Sequence, residues 1–136
     1  MTNELHDLIN KAKKGDPESQ VNLGIKYDDG DGVPQDKEKA AIWYRKAAEQ
    51  GSSAGQFNLA LMHQHGTGVK QCYKEAAKWY EKAAEQGNAD AMINLAMMYS
   101  RGLLGPVESG EVMKQMIHWF TKAKEQGHPS AKDFPF

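Results

Sequence analysis

The chain has 136 residues, enough for one domain with a sizeable core, and its 17 Lys+Arg against 18 Asp+Glu leave a formal net charge of −1. That balance provides no strong field for nucleic acid or an anionic membrane surface, and the single cysteine, Cys72, excludes an internal disulfide framework and fits a reducing compartment. No run of about 18 apolar residues occurs to span a membrane, and the first residues carry Asn3, Glu4, His6 and Asp7 where a signal peptide needs an apolar core, so a cytoplasmic protein is expected. A signal sequence already removed would leave no trace in these residues.

In chain order, Leu5, Leu8, Ile9 and Ala12 place an apolar stripe on a helix that Gly15 terminates. Asp16-Pro17 then starts a second helix, because Asp accepts from the free amides of a first turn and proline there lacks an N–H that would have no partner. Leu23, Gly24 and Tyr27 give that helix a large, a small and an aromatic residue at helical spacing, which suits close helix packing. Gly30 and Gly32 predict a tight loop. Beyond it Ala40, Trp43, Tyr44, Ala47 and Ala48 form one face of a further helix that ends at Gly51.

The same order then returns. Ser52-Ser53, Leu59-Ala60, His63, Gly66, Gly68, Trp79-Tyr80 and Ala83-Ala84-Glu85-Gln86-Gly87 make a second unit, and Asn88-Ala89, Leu95-Ala96 and Tyr99 open a third. Gly15, Gly51 and Gly87 fall 36 residues apart and Gly127 follows 40 later; Trp43, Trp79 and Trp119 repeat the same two intervals. Two markers shifting together place a four-residue insertion upstream of Trp119, near Gly102-Leu103-Leu104-Gly105-Pro106. Four residues are close to one helical turn, so the longer unit can keep Trp119 on its packing face, with Ser109 as the expected cap. Met116 and Ile117 stand where Ala40 and Ala41 do, giving a bulkier contact face.

Periods of this size signal a solenoid. The expected fold is all-α: a right-handed α/α superhelix of three two-helix repeats with terminal capping helices, in a single domain over residues 1–136. Residues 1–15 form the N-terminal cap, 16–51, 52–87 and 88–127 the three repeats, and 128–136 a C-terminal segment. For that last segment two readings stand: Phe134 and Phe136 cover the final apolar face, or the residues begin a repeat of a longer array.

Asn22-Leu23-Gly24, Tyr27, Gly30-Asp31-Gly32-Val33, Lys39-Ala40, Trp43-Tyr44 and Lys46-Ala47-Ala48-Glu49-Gln50-Gly51 together resemble the Sel-one-like repeat (SLR) family, relatives of the tetratricopeptide repeats. The resemblance covers about residues 16–127, with His63 in place of one expected tyrosine and Phe120 in place of another. It implies first helices lining a concave surface and a bacterial, non-enzymatic adaptor that holds another protein or peptide. It implies no cofactor. Disulfide-rich relatives have been linked to β-lactam binding or hydrolysis, which keeps an enzymatic alternative; those use regularly spaced cysteine pairs, and this chain has one cysteine. A structural fragment of a longer array is a third reading.

Candidate binding residues follow from helical spacing on the first helices. Asn22, Asn58 and Asn94 recur and could hydrogen-bond an extended peptide, or could serve only as polar links between helices. The same stripe carries Glu18, Ile25 and Asp29, then Ala54, Leu61 and His65, then Asp90, Met97 and Arg101. Varied residues on a repeated scaffold are where ligand choice would reside, the alternative being an ordinary solvated face. A protein or peptide partner is expected there, with neither nucleic acid nor membrane insertion and with weak self-association through the solenoid ends. The tryptophans suit inter-repeat core better than a sugar or nucleobase platform. The methionines clustered late in the chain suit core filling better than an adaptable contact surface. His63-Gln64-His65 offers no metal pair, since residues two apart on a helix diverge, and Asp28-Asp29-Gly30-Asp31 lacks the remaining ligands of a calcium loop. Cys72 sits at a helix-cap position with no orienting base, so no catalytic residue is assigned.

Overall fold

The computed structural model describes residues 3–135. Among them lie seven α-helices, α1 (Asn3–Lys13), α2 (Pro17–Asp29), α3 (Lys37–Glu49), α4 (Ser53–His65), α5 (Tyr73–Glu85), α6 (Ala89–Ser100) and α7 (Ser109–Glu125), then a 3₁₀ turn at Pro129–Ala131, and no strand. Each helix packs on the next, most extensively within the pairs α2–α3, α4–α5 and α6–α7, while α3–α4 and α5–α6 join one pair to another. The result is the right-handed α/α solenoid.

The helix starts obey the predicted chemistry. Side-chain oxygens of Asp16, Ser52 and Asn88 accept from the backbone N–H of Ser19, Gly55 and Ala91 at 3.0–3.1 Å, and Asp36 does the same for Lys39. Cys72, in the place of Asp36, makes no such bond. The third unit departs from expectation: α7 begins at Ser109, so Glu108 occupies the cap position, and its side chain caps nothing. Its 17 residues against 13 in α3 and α5 place the inserted turn at its start, which leaves Trp119 buried as Trp79 is.

The helix ends are alike. Ser52 N–H donates to the Ala47 carbonyl and Gly51 N–H to that of Ala48, and Asn88, Gly87, His128 and Gly127 repeat the pattern. Gly51 adopts a φ of 93° to allow it. The second helix of every pair therefore ends with the same backbone hydrogen-bond pattern.

Leu23, Leu59 and Leu95 are fully buried along the first helices, and Ala40, Ala47, Ala48, Ala76, Ala83 and Ala84 along the second. Gly24 is required by its neighbour, since a Cβ there would meet the Tyr44 ring at 2.6 Å. Met116 and Ile117 are only half-buried where Ala40 and Ala41 are enclosed. Met92 and Met98 fill core, whereas Met97 and Met113 stand exposed. The indole faces are not open platforms: Lys46, Lys82 and Lys122 lie over Trp43, Trp79 and Trp119 at 5.3, 4.9 and 5.7 Å from the ring centroids. At the C-terminus Phe134 stacks on Phe120 with centroids 4.5 Å apart, so the described part of that segment covers α7. Phe136 lies outside the described residues.

A buried glutamine forms each of the first two joints. Gln20 donates to the Ala12 carbonyl at 3.0 Å and accepts from Gln50 at 2.8 Å; Gln56 donates to Ala48 at 3.3 Å and accepts from Gln86 at 2.8 Å. Each thus ties the end of the preceding helix to the end of the second helix of its own pair. Met92 takes this register in the third unit and replaces the link by apolar packing. Gln56→Leu is expected to lower stability by about 1 kcal/mol, because one amide hydrogen of Gln86 loses its acceptor, while the Ala48 carbonyl keeps the Gly51 N–H. Equilibrium urea denaturation measures it, and an unchanged midpoint would show that packing alone holds the joint.

Candidate functional site

The first helices present the predicted stripe to solvent, and none of the twelve residues named on it is buried. The structure divides them. Glu18 and Asn22 line a groove of about 430 Å³ between α1 and α2 that also collects Glu4, Asp7, Lys11 and Asp16, so its walls are mainly acidic. Leu61, His65, Asn94, Met97 and Arg101 line a second groove of about 320 Å³ between α4 and α6, together with Gln64, Met98 and Leu103. Ile25, 40% exposed, and Asp29 and Asn58 share the face but line neither groove. Asp90 is held internally: His128 Nδ1 accepts from Ser130 N–H at 3.1 Å, which leaves Nε2–H to donate to the Asp90 carboxylate at 2.6 Å.

The three asparagines are not equivalent. Asn94 Nδ2 donates to the Tyr80 hydroxyl at 3.4 Å, whereas Asn22 and Asn58 make no side-chain hydrogen bond among the described residues. Tyr80 in turn donates to Gln64 Oε1 at 2.5 Å, so one buried hydroxyl organises two amides in the floor of the α4/α6 groove. In the preceding unit Tyr44 donates to Asp28 at 3.3 Å, and Asp28 also pairs with Lys37. In the third unit Phe120 has no hydroxyl, and Ser100 turns back to the Met97 carbonyl. Sequence reasoning missed this link, though aligning the repeats sets Asp28 and Gln64 in register with the two tyrosines, and the unit that has Phe120 instead has the short Ser100 there.

His63 and His65 point apart. His63 is buried, with Arg45 donating to Nε2 and Nδ1–H donating to the Lys70 carbonyl, each at 3.3 Å. His65 is exposed at the groove. Asp31 pairs with Lys26 at 3.4 Å, so two of the loop carboxylates already have cationic partners. Among the described residues no group of three or more His, Cys, Asp or Glu is placed to hold a metal ion, and no helix is long and apolar enough to cross a membrane.

Burial pushes the Tyr80 phenol up to about 12, and burial followed by the nearby Asp28 charge raises Tyr44 further. A group whose folded value exceeds its unfolded value of about 10 stabilises the fold fully below that pH, and the contribution is lost as pH rises through the folded value. Alkaline unfolding is therefore expected to steepen between about pH 10 and 12, and Tyr80→Phe should flatten it. Melting temperatures across that range check it. A Tyr80→Phe slope equal to the parent's would exclude the phenol.

A stack of helix pairs whose varied residues lie on the first helix of each pair defines the class: an α-solenoid repeat protein. The chain belongs to the Sel1 repeat family, whose model matches residues 17–52, 53–88 and 89–128. Its fold is similar to c5321, a protective antigen of uropathogenic Escherichia coli strains with an SLR fold, at TM-score 0.84 and 38% identity over 92% of this chain and 26% of that one. A Sel1 repeat protein from Oxalobacter formigenes matches at TM-score 0.75 and 38% identity, covering 86% of this chain and 46% of that chain. Helicobacter pylori cysteine rich protein B matches at TM-score 0.60 and 32% identity, covering 62% and 63% respectively. The chain thus spans from about a quarter to under two thirds of these proteins' lengths. Comparison with curated proteins finds no match. The Sel1 solenoid is commonly a protein-interaction scaffold and generally a non-catalytic one.

Proposed function

We propose that this chain is a non-enzymatic binding module that captures a segment of another protein along the exposed face of its first helices. The observation that carries the reading is the convergence of Leu61, His65, Asn94, Met97 and Arg101, five residues singled out by repeat register alone, on one groove between α4 and α6. That groove sets four apolar residues, Leu61, Met97, Met98 and Leu103, beside four polar ones, Gln64, His65, Asn94 and Arg101, so it offers a partner both apolar contact and hydrogen bonds. A packed stack supports it, because the repeat core fixes the α4 and α6 backbones that carry the groove residues, so no helix has to form on binding.

The test is a displayed peptide library selected on the folded chain. Met97, 37% exposed, can be changed to arginine at about 0.5 kcal/mol or less in stability. Selected peptides are expected to lose capture by Met97→Arg while its melting temperature stays close to the parent's. Undiminished capture by that variant would remove the groove from consideration.

A further inference from the structure

We propose that the α4/α6 groove recognises an internal, extended peptide segment of a partner protein that carries an acidic side chain beside one main-chain amide; the inference rests on the peptide-binding reading above. The argument starts from the hydroxyl beneath the groove. Tyr80 is fully buried, and it donates its only hydrogen to Gln64 Oε1 at 2.5 Å while accepting from Asn94 Nδ2 at 3.4 Å. Those two bonds fix which end of each amide remains for a ligand. Gln64 keeps its NH₂ as donor, and Asn94 keeps its Oδ1 as acceptor. Neither atom has another partner among the described residues.

A donor and an acceptor side by side match the C=O and N–H of a peptide unit in extended conformation, where the groups that a sheet would satisfy are free. A free chain terminus fits less well. Its carboxylate has only acceptor oxygens and so leaves Asn94 Oδ1 without a donor. The occupant is therefore an internal segment.

The charge of its side chain follows from the rim. Arg101 is exposed, its side chain has no hydrogen bond or ion pair among the described residues, and the groove lining contains no carboxylate. A planar guanidinium with unclaimed donors, set beside apolar walls, is complementary to a carboxylate and adds charge-assisted hydrogen bonds that a neutral side chain does not. Leu61 and Met97 accept an apolar neighbour of that acid. Tyr80 acts as a positioning residue, since it touches no ligand but sets both amides.

The test uses random nine-residue segments displayed between fixed flanks, so that no terminus is present, selected on the whole folded chain. Enriched segments are then synthesised with blocked ends and titrated by fluorescence anisotropy. The expected result is an Asp or Glu in most enriched segments, and at least about tenfold weaker binding for the Glu→Gln peptide and for Arg101→Glu, with the Glu→Lys peptide recovering affinity for Arg101→Glu. N-methylation of one amide near the acid should weaken binding as well. Tyr80→Phe should weaken it by about fivefold with the acid preference intact; the fold tolerates that ring, since Phe120 holds the same register.

Segments that are lost with Met97→Arg but show no preference for acid overturn this inference and leave the peptide-binding reading standing. Segments that bind Met97→Arg as well as the parent, or a selection that yields none, overturn both. Full affinity in Tyr80→Phe and in every N-methylated peptide removes the amide pair from the proposal.

Discussion

Gly68→Ala is expected to destabilise the chain by about 3 kcal/mol, against about 1 kcal/mol for Gly32→Ala at the same register one repeat earlier. Both glycines adopt positive φ, 73° and 77°, so each alanine incurs the left-handed strain of about 1 kcal/mol. Their surroundings differ. A Cβ on Gly68 would lie 2.2 Å from the Lys37 carbonyl oxygen and 2.6 Å from its carbon, backbone atoms at the start of α3 that cannot step aside alone. A Cβ on Gly32 would meet only Leu5 Cδ2, at 3.8 Å. The additional cost at Gly68 is the overpacking of one repeat's loop against the previous repeat's helix. Equilibrium denaturation of the two variants measures the difference, and equal losses would mean that the loop relaxes away from α3 without cost.

Tyr80→Ala should be larger still, about 4 kcal/mol, with Tyr80→Phe near 1 kcal/mol. The side chain is fully enclosed and packs on Phe57 of α4 with ring centroids 5.8 Å apart, while its hydroxyl meets Asn94 of the next unit, so truncation leaves a cavity at the joint between α5 and α6. In a solenoid each unit is stabilised by its neighbours. A lesion in the middle pair is therefore expected to separate the two ends, and circular dichroism should show a broader transition for Tyr80→Ala than for Tyr80→Phe. A transition as sharp as the parent's, shifted by less than about 1 kcal/mol, would show that the core refills the space.

The repeat was legible because its chemistry is local. Asp16, Ser52 and Asn88 cap helices that begin where they stand, and Gly51, Gly87 and Gly127 end helices with the same backbone exchange, so register, helix number and the extra turn before Trp119 could be read from spacing. Ser109 failed as a cap for a related reason. Which residue becomes the cap depends on where the enlarged loop enters the helix, and there Glu108 takes the extended backbone conformation, φ −57° and ψ 138°. The candidate stripe was legible as a face but not as sites. Spacing placed Asp90 beside Arg101's unit, yet only the folded C-terminal turn brings His128 to Asp90 from 38 residues away.

What the sequence by itself determined is the solenoid: hydrophobic period, caps and glycines each act within a few residues, and their repetition leaves one way to stack. What only the tertiary structure decided is which polar atoms remain for a partner. Tyr80 lies 16 residues from Gln64 and 14 from Asn94, and one hydroxyl with a single hydrogen assigns the free donor to one amide and the free acceptor to the other. That assignment depends on three side chains meeting in space, a condition that repeat spacing does not encode.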